Sequence, residues 1–169
     1  MDKKIIDLYD EYNHGAMDRR AFLGKLSMLA GGVAAADALL PLLETNSAQA
    51  AVVPKDDSRL GTEYIKYPGV DGDMRAYLAM PKGDAKLPAV IVVHENRGLN
   101  AHIEDVARRI ALEGYLVIAP DALSPVGGTP ADSNEAIKLI GKLDAKANTG
   151  NFVAAVKYLK THPQSTGKV

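Results

Sequence analysis

The sequence contains no cysteine and no tryptophan among its 169 residues. Without cysteine the chain can form no disulfide, can provide no cysteine-ligated zinc site and can offer no thiolate nucleophile. Aromatic residues amount to only 5% of the chain, so the stacking platforms that hold single-stranded nucleic acid are not indicated. The remaining composition, 47% hydrophobic and 24% charged residues, is typical of an ordinary globular domain.

The sequence also lacks an excess of charge of either sign. Its 20 Lys and Arg residues face 21 Asp and Glu residues, which gives a formal net charge of −1. Proteins that bind nucleic acid carry a basic field that attracts the phosphate backbone. We therefore expect no nucleic-acid partner.

The first fifty residues resemble a twin-arginine export signal. The chain reads Asp-Arg-Arg-Ala-Phe-Leu-Gly-Lys around Arg19 and Arg20. A weakly apolar segment rich in Ala and Gly follows, and Ala48 and Ala50 supply the A-x-A pattern of a cleavage site. The pattern predicts an export signal over residues 1–50 and a periplasmic product. The alternative is a cytoplasmic protein in which this segment is an amphipathic helix.

A stable membrane anchor is not expected from this segment. A transmembrane helix needs roughly 20 consecutive apolar residues, whereas Lys25, Asp37 and Pro41 interrupt the apolar run. Cleavage after Ala50 would leave residues 51–169 as the mature domain.

The mature segment alternates strand and helix patterns. Residues 63–68 and 74–81 mix β-branched, aromatic and polar side chains around a Gly- and Asp-rich turn, which predicts an antiparallel hairpin. Residues 88–93 and 115–119 are apolar throughout, the pattern of strands buried on both faces of a parallel sheet. Apolar residues with helical spacing lie between them and end near Gly114, so the sequence predicts a βαβ unit.

The rest of the chain continues this pattern. Residues 132–146 and 152–160 have helical patterns, and residues 165–169 form a turn followed by what resembles the first residue of another strand. Strands that alternate with helices predict an α/β fold, in which ligands bind at the carboxyl ends of the strands.

A polar turn joins the first buried strand to the helix. Residues 94–100 read His-Glu-Asn-Arg-Gly-Leu-Asn. A strand-to-helix turn of this kind presents a carboxylate and unpaired backbone N–H groups, and the helix dipole favours negative charge beside it. Such a turn can stabilise an oxyanion.

These features together resemble the first half of the dienelactone hydrolase family of α/β-hydrolases. The resemblance rests on residues 88–93, 94–100, 114–115, 119–121, 152–159 and 167–169. It implies an incomplete α/β-hydrolase fold over residues 51–169, the amino-terminal half of a doubly wound, mostly parallel sheet. In the family, Gly-Lys-Val leads into the strand and the G-x-C-x-G elbow of the nucleophile, and the acid and histidine of the triad follow. We expect none of the three within these 169 residues.

The resemblance also implies an order in which residues 88–93 lie between residues 115–119 and a strand that begins at Val169. Without that next strand, residues 88–93 would expose a long apolar edge with no interior charge, proline or bulge. We therefore expect the chain to be poorly stable or aggregated by itself. Its candidate partner is a separate carboxy-terminal half.

Four residues of the polar turn are candidate site residues. By the resemblance, Glu95 matches the glutamate that contacts and helps to activate the nucleophile, and Asn96 matches the residue whose backbone N–H contributes to the oxyanion hole. Arg97 and Asn100 are candidate binding residues beside them. The family's arginine for a substrate carboxylate has no counterpart, because the last arginine is Arg109. The resemblance therefore implies a small ester or lactone substrate without fixing its identity.

Metal ions and cofactors are not expected. His94 and His102 lie near Glu95 and Glu104, but the H-E-x-x-H spacing of zinc enzymes is absent. The two histidines are interpreted as a packed strand-end residue and a helix-surface residue.

Other polar residues are interpreted as structural. Asp121 follows a strand, where aspartate usually accepts hydrogen bonds from the next turn. The Gly-Gly-Thr of residues 127–129 matches neither a phosphate loop nor a dinucleotide pattern and is taken as a flexible loop. Ser124, Ser133 and Ser165 stand in no G-x-S-x-G elbow, so a serine triad is not supported.

Two functions therefore remain. The first is a fragment of a dienelactone hydrolase-like ester or lactone hydrolase, truncated or interrupted, and inactive alone because its triad is missing. The alternative is a non-catalytic exported protein that binds a small molecule. A reading frame that continues after Val169 into Gly-x-Cys-x-Gly would favour the first.

Overall fold

A computed structural model describes residues 2–14, 17–49 and 52–169. The chain divides into two compact units, Met1–Ala50 and Ala51–Val169. The boundary falls where the A-x-A pattern predicts cleavage. The division by itself assigns no role to the first unit, so export stays a prediction.

The first unit consists of three helices, α1 (Lys3–His14), α2 (Arg19–Ala30) and α3 (Val33–Gln49). Asp18 caps α2, because its carboxylate accepts a hydrogen bond from a backbone N–H of the first turn at 2.8 Å. Gly31 ends the helix in the left-handed conformation, with a φ of 83°. These two caps set the boundaries of α2.

Apolar side chains from all three helices form the core of this unit. They are Ile5, Leu8, Phe22, Leu26, Ala36 and Leu43. Phe22 is fully buried and stacks on Tyr12, with ring centroids 4.3 Å apart. Arg19 and Arg20 lie exposed in the first turn of α2. The arginine pair is thus at the surface, whereas the aromatic residue that follows it is covered.

Among the described residues, no single helix is both long and apolar enough to cross a membrane. α2 and the segment Val33–Leu40 pass the same test only when they are taken together, and they meet at an angle of 110°. Ala48 lies in the last turn of α3, and Ala50 lies outside the described residues.

Four strands form the sheet of the second unit, β1 (Leu60–Pro68), β2 (Asp73–Pro81), β3 (Ala89–Ile91) and β4 (Leu116–Pro120). Their order is β1-β2-β4-β3. The pairs β1–β2 and β2–β4 are antiparallel, and the pair β3–β4 is parallel. The predicted α/β fold, hairpin and βαβ unit are therefore confirmed. These four strands form a mixed sheet with one parallel pair, because the hairpin joins β4 in the antiparallel sense.

Helices cover both faces of this sheet. α4 (Ala101–Leu112) packs in a core that includes Val117, and α6 (Ala145–Thr161) packs in a second core that includes Ile118. Neighbouring residues of a strand point to opposite faces, so β4 contributes to both cores. The continuous apolar pattern of this strand follows from burial on both sides.

The helices after β4 differ from the prediction. The helix predicted over residues 132–146 is wrong in its second half, because α5 (Ser133–Ile140) ends early. The helix predicted over residues 152–160 begins instead at Ala145. Asp144 explains this start, since its carboxylate caps α6 by accepting a backbone N–H at 2.7 Å.

Residues 164–168 lie along the edge of β3 that faces away from β4. The N–H of Leu87 donates to the carbonyl of Gln164 at 2.7 Å, and the N–H of Ala89 donates to the carbonyl of Lys168 at 2.8 Å. This segment runs parallel to the residues that lead into β3. Its position is the one that the family resemblance implies for the beginning of the next strand.

The helix α4 also carries buried charged side chains, which the sequence reasoning did not predict. Arg108 is fully buried, and its Nε donates to the carbonyl of Val53 at 2.8 Å. The carboxylate of Asp105 accepts the backbone N–H of Val53 at 2.9 Å, and the carboxylate of Glu104 forms an ion pair with Lys55 at 2.8 Å. Residues 53–55 are thereby fastened to α4.

Tyr64 of β1 joins this group through its hydroxyl, which donates to the carboxylate of Glu104. Burial, together with that hydrogen bond, raises the pKa of Tyr64 to about 12. Buried charges are tolerated only when partners surround them, and here those partners come from β1, from residues 53–55 and from Tyr77 of β2, whose hydroxyl accepts a hydrogen bond from Arg108 at 3.1 Å.

Replacing Arg108 by Met should lower the free energy of unfolding by about 3 kcal/mol, because buried carboxylates lose a cation and the Val53 carbonyl loses its donor. The matched control is Arg109→Met. The Arg109 side chain is 42% exposed, and its buried partner Asp105 keeps Arg108 and the N–H of Val53, so we expect a smaller loss of about 1 kcal/mol. Urea unfolding of the full chain, followed by circular dichroism, measures both losses. Equal losses in the free energy of unfolding would show that Arg108 stabilises the protein no more than Arg109 does.

Candidate active site

The candidate site lies on the turn between β3 and α4. β3 ends at Ile91, two residues before the end that the sequence predicts; one further bond to β4 follows, from the N–H of Val92 to the Ile118 carbonyl at 2.8 Å. The N–H of Gly98 then donates to the carbonyl of Glu95 at 3.3 Å. These residues form a tight turn at the carboxyl end of β3, the end at which ligands bind in α/β sheets.

Glu95 and Asn96 lie exposed at the start of this turn. Within the part of the chain that the structure describes, the carboxylate of Glu95 makes no hydrogen bond or ion pair, and the backbone N–H of Asn96 has no acceptor. A carboxylate can take a proton, and an unpaired N–H can meet an oxyanion. The two groups are available on neighbouring residues, and their catalytic roles stay predictions.

His94 holds the first residue of the turn. It is buried, its Nε2 accepts the backbone N–H of Ala122 at 3.0 Å, and its Nδ1 lies 2.7 Å from the carbonyl of Glu95. Because Nε2 accepts, the ring proton belongs on Nδ1, which donates to that carbonyl. Both ring nitrogens form hydrogen bonds within the fold, as expected for a packed strand-end histidine.

Asp121 organises the loop that follows β4. Its carboxylate accepts the N–H of Leu123 at 3.1 Å, the N–H of Thr129 at 2.9 Å and the Thr129 hydroxyl at 2.7 Å. The interpretation of Asp121 as a turn residue is confirmed. The Thr129 hydroxyl in turn accepts the N–H of Leu99 at 2.9 Å, so this loop is tied to the turn that carries Glu95.

Arg97 and Asn100 occupy different settings within the turn. Arg97 is half-buried. Asn100 caps α4, because its side-chain oxygen accepts the N–H groups of His102 and Ile103 at 3.0 and 3.1 Å. The amide nitrogen of Asn100 is the part of its side chain left for a ligand, and the binding roles of both residues stay predictions.

Sequence reasoning missed Thr129, which it placed in a flexible loop. Gly127 and Gly128 before it both adopt left-handed conformations, with φ values of 102° and 93°. Two consecutive glycines in such conformations indicate a specific loop rather than a flexible one. The Gly-Gly pair that follows β4 was the signal that the sequence offered for such a loop.

The described residues contain no group of three or more His, Asp or Glu side chains placed to hold a metal ion.

Gly98→Ala should destabilise the protein more than Gly114→Ala. Both glycines have positive φ values, 74° and 92°, so each alanine costs about 1–2 kcal/mol. A Cβ at Gly98 would also lie 2.6 Å from Cγ2 of Thr129, whereas nothing lies within 4 Å at Gly114. This overlap should add about 1–3 kcal/mol, measurable as a lower urea midpoint. Equal midpoints would mean that Thr129 does not hold the turn.

Two family models match different parts of the chain. The model described as the dienelactone hydrolase family matches residues 74–169, which include the turn between β3 and α4. The model described as YqhI-like matches residues 1–32, which include α1 and α2. Each match lies inside one of the two compact units.

Known proteins are similar to this chain over about two thirds of its length. The Escherichia coli K12 protein YghX, named as a hydrolase fragment, is 49% identical over 110 residues, which are 63% of this chain and 94% of YghX. A protein of the same organism named as a carboxymethylenebutenolidase is 36% identical over 117 residues, 69% of this chain and 43% of that protein. A Klebsiella pneumoniae structure described as a dienelactone hydrolase has a TM-score of 0.55 and 31% identity.

The Klebsiella match covers 64% of this chain and 46% of that structure. The chain thus spans less than half the length of the Klebsiella protein and of the E. coli carboxymethylenebutenolidase, but nearly all of YghX. Strands β3 and β4, the helices that cover the sheet and the turn all lie within residues 74–169, which the family model matches. The chain belongs to the dienelactone hydrolase family.

Proposed function

We propose that residues 51–169 supply the amino-terminal part of an ester or lactone hydrolase. The observation that carries the proposal is the turn after β3, where the carboxylate of Glu95 and the backbone N–H of Asn96 are both without partners among the described residues. A butenolide is a cyclic ester, so the name of the carboxymethylenebutenolidase relative supports a small lactone or ester as substrate.

The proposed reaction is acyl transfer. A nucleophile beside the turn attacks the carbonyl carbon of the substrate, and the carboxylate of Glu95 assists by accepting the proton of the nucleophile. Negative charge then develops on the carbonyl oxygen, where the N–H of Asn96 donates a hydrogen bond. The intermediate collapses when the ester C–O bond breaks, and the leaving alkoxide takes the proton held by Glu95. Water then attacks the acyl group, which leaves as the carboxylic acid, and the nucleophile regains its proton. Arg97 and the amide nitrogen of Asn100 are proposed to contact the remainder of the substrate.

The nucleophile in this proposal comes from outside these residues. The chain holds no cysteine, the Ser124 hydroxyl donates to the carbonyl of Asp121 at 2.6 Å, and Ser165 is buried. We propose that residues 51–169 are inactive alone and that the triad arrives with a strand beside β3, from further sequence or from a separate polypeptide.

Co-expression tests this proposal. The full chain should gain esterase or lactonase activity when the carboxy-terminal half of the E. coli carboxymethylenebutenolidase, from its nucleophile strand onward, is produced with it. Glu95→Ala should then lower kcat/KM about 100-fold or more, because a positioned acid–base group contributes on the order of 10²–10⁴.

The matched control is Glu113→Ala, which removes an exposed glutamate at the far end of α4 and should change kcat/KM by about twofold or less. Activity of the full chain without the added half would contradict the requirement for an external nucleophile. An active assembly in which Glu95→Ala behaves like Glu113→Ala would remove Glu95 from the mechanism. Small-molecule binding without turnover in any assembly would favour the non-catalytic binding protein.

We further propose that residues 1–50 direct twin-arginine export to the periplasm. The pattern around Arg19 and Arg20, the exposure of both side chains and the A-x-A at Ala48 and Ala50 support this proposal. A receptor that recognises the planar guanidinium pair distinguishes it from two ammonium groups.

Changing both Arg19 and Arg20 to Lys should therefore abolish export of the full chain carrying a reporter that is active only after export in the folded state. Arg59→Lys, the same change on the mature domain, should leave the exported fraction unaltered. Equal periplasmic activity of the unchanged protein and the Arg19→Lys, Arg20→Lys variant would refute the twin-arginine route.

A further inference from the structure

The turn at residues 95–98 is held at both ends by the loop that follows β4, residues 121–129. At its first residue, His94 bridges the Glu95 carbonyl and the N–H of Ala122. Just after its last residue, the N–H of Leu99 donates to the Thr129 hydroxyl at 2.9 Å. Two anchors from one loop therefore enclose the turn.

The Thr129 hydroxyl has a fixed direction. Its single proton is donated to Oδ1 of Asp121 at 2.7 Å, and the backbone N–H of Thr129 donates to Oδ2 of the same carboxylate at 2.9 Å. Asp121 is 1% exposed, so its carboxylate is shielded from water. Because the hydroxyl proton is committed to Asp121, a lone pair of the oxygen is left to accept the N–H of Leu99. Threonine is also stiff about χ1, which keeps the oxygen in place.

Thr129 restrains the turn by contact as well. Gly98 adopts a φ of 74°, and a Cβ on it would lie 2.6 Å from Cγ2 of Thr129. The threonine side chain therefore occupies the space in which a side chain of residue 98 would lie, and it packs against the bare backbone. Asn96 and Arg97 are the two residues between Glu95, whose carbonyl is hydrogen-bonded to His94, and Gly98, which packs against Thr129.

We propose that Thr129 is a positioning residue that fixes the direction of the Asn96 N–H. This inference rests on the proposed oxyanion role of that N–H. Donors that stabilise an oxyanion work because they are oriented before the charge develops, and supporting residues provide that orientation. Thr129 touches no reacting atom in this scheme and acts through the backbone of the turn.

The test compares Thr129→Val with Thr129→Ser in the full chain. Valine keeps the branched shape without a hydroxyl, whereas serine keeps the hydroxyl and loses the methyl group. Nitrogen-15 relaxation measures the order parameter of each backbone amide, about 0.85 in rigid backbone and below about 0.6 in flexible backbone. We expect Asn96 to be near the rigid value in the unchanged protein, near the flexible value in Thr129→Val, and restored in Thr129→Ser.

An Asn96 amide that is equally ordered in all three proteins, or a serine variant as mobile as the valine variant, overturns the inference. If Thr129→Val does not fold, the unchanged protein decides the matter. A rigid Asn96 amide together with a Thr129 hydroxyl proton protected from exchange with water supports the inference, and a flexible Asn96 amide overturns it.

These measurements need no turnover, so they separate this inference from the proposed hydrolase function. In the active co-expressed assembly, Thr129→Val should lower kcat about tenfold or more with little change in KM, since it weakens an interaction made in the transition state. Thr129→Ser should restore most of that loss. A change in KM alone overturns the positioning role, whereas an assembly that is inactive with the unchanged sequence refutes the proposed function and leaves relaxation to judge Thr129.

Discussion

The position of the candidate site depends on the hydrogen bonds of β3. Alternate residues of a parallel strand bond to opposite neighbours: Val92 bonds to β4, whereas Leu87 and Ala89 bond to residues 164–168. Beyond Ala89, no described residue pairs with the second edge. The strand ends two residues later, and the turn begins where paired backbone gives way to unpaired backbone. A neighbour along that edge would lie next to Glu95, so in the proposed function the strand that completes the sheet would also bring the nucleophile.

The loops after β3 and β4 form one hydrogen-bonded assembly at the carboxyl ends of the two parallel strands. His94 reaches from the first loop to the second, and Thr129 reaches back. Buried Asp121 is the acceptor that makes the return link possible. Such cross-links confine Glu95 and Asn96 without using the Glu95 carboxylate or the Asn96 backbone N–H, so both groups stay without partners among the described residues.

Sequence reasoning predicted those features of the fold that follow from local pattern. Apolar runs located β3 and β4, Gly114 marked the end of α4, and His94 and Asp121 were correctly given structural roles. The buried face of α4 could not be predicted in this way, because Arg108 is buried through partners such as Val53, 55 positions away. Thr129 was missed for the same reason, because no local pattern encodes the hydrogen bond that its hydroxyl accepts from the N–H of Leu99.

The docking of Val53 has a consequence for the proposed cleavage after Ala50. Val53 is 4% exposed, and both of its backbone groups bond to α4. A protease that cuts after Ala50 needs an extended stretch of substrate on both sides of the bond, yet the third residue after that bond already belongs to the folded core. Cleavage of the folded chain would require residues 53–55 to detach first, at a rate set by local unfolding. The order of folding and cleavage would then determine how quickly the mature amino terminus appears.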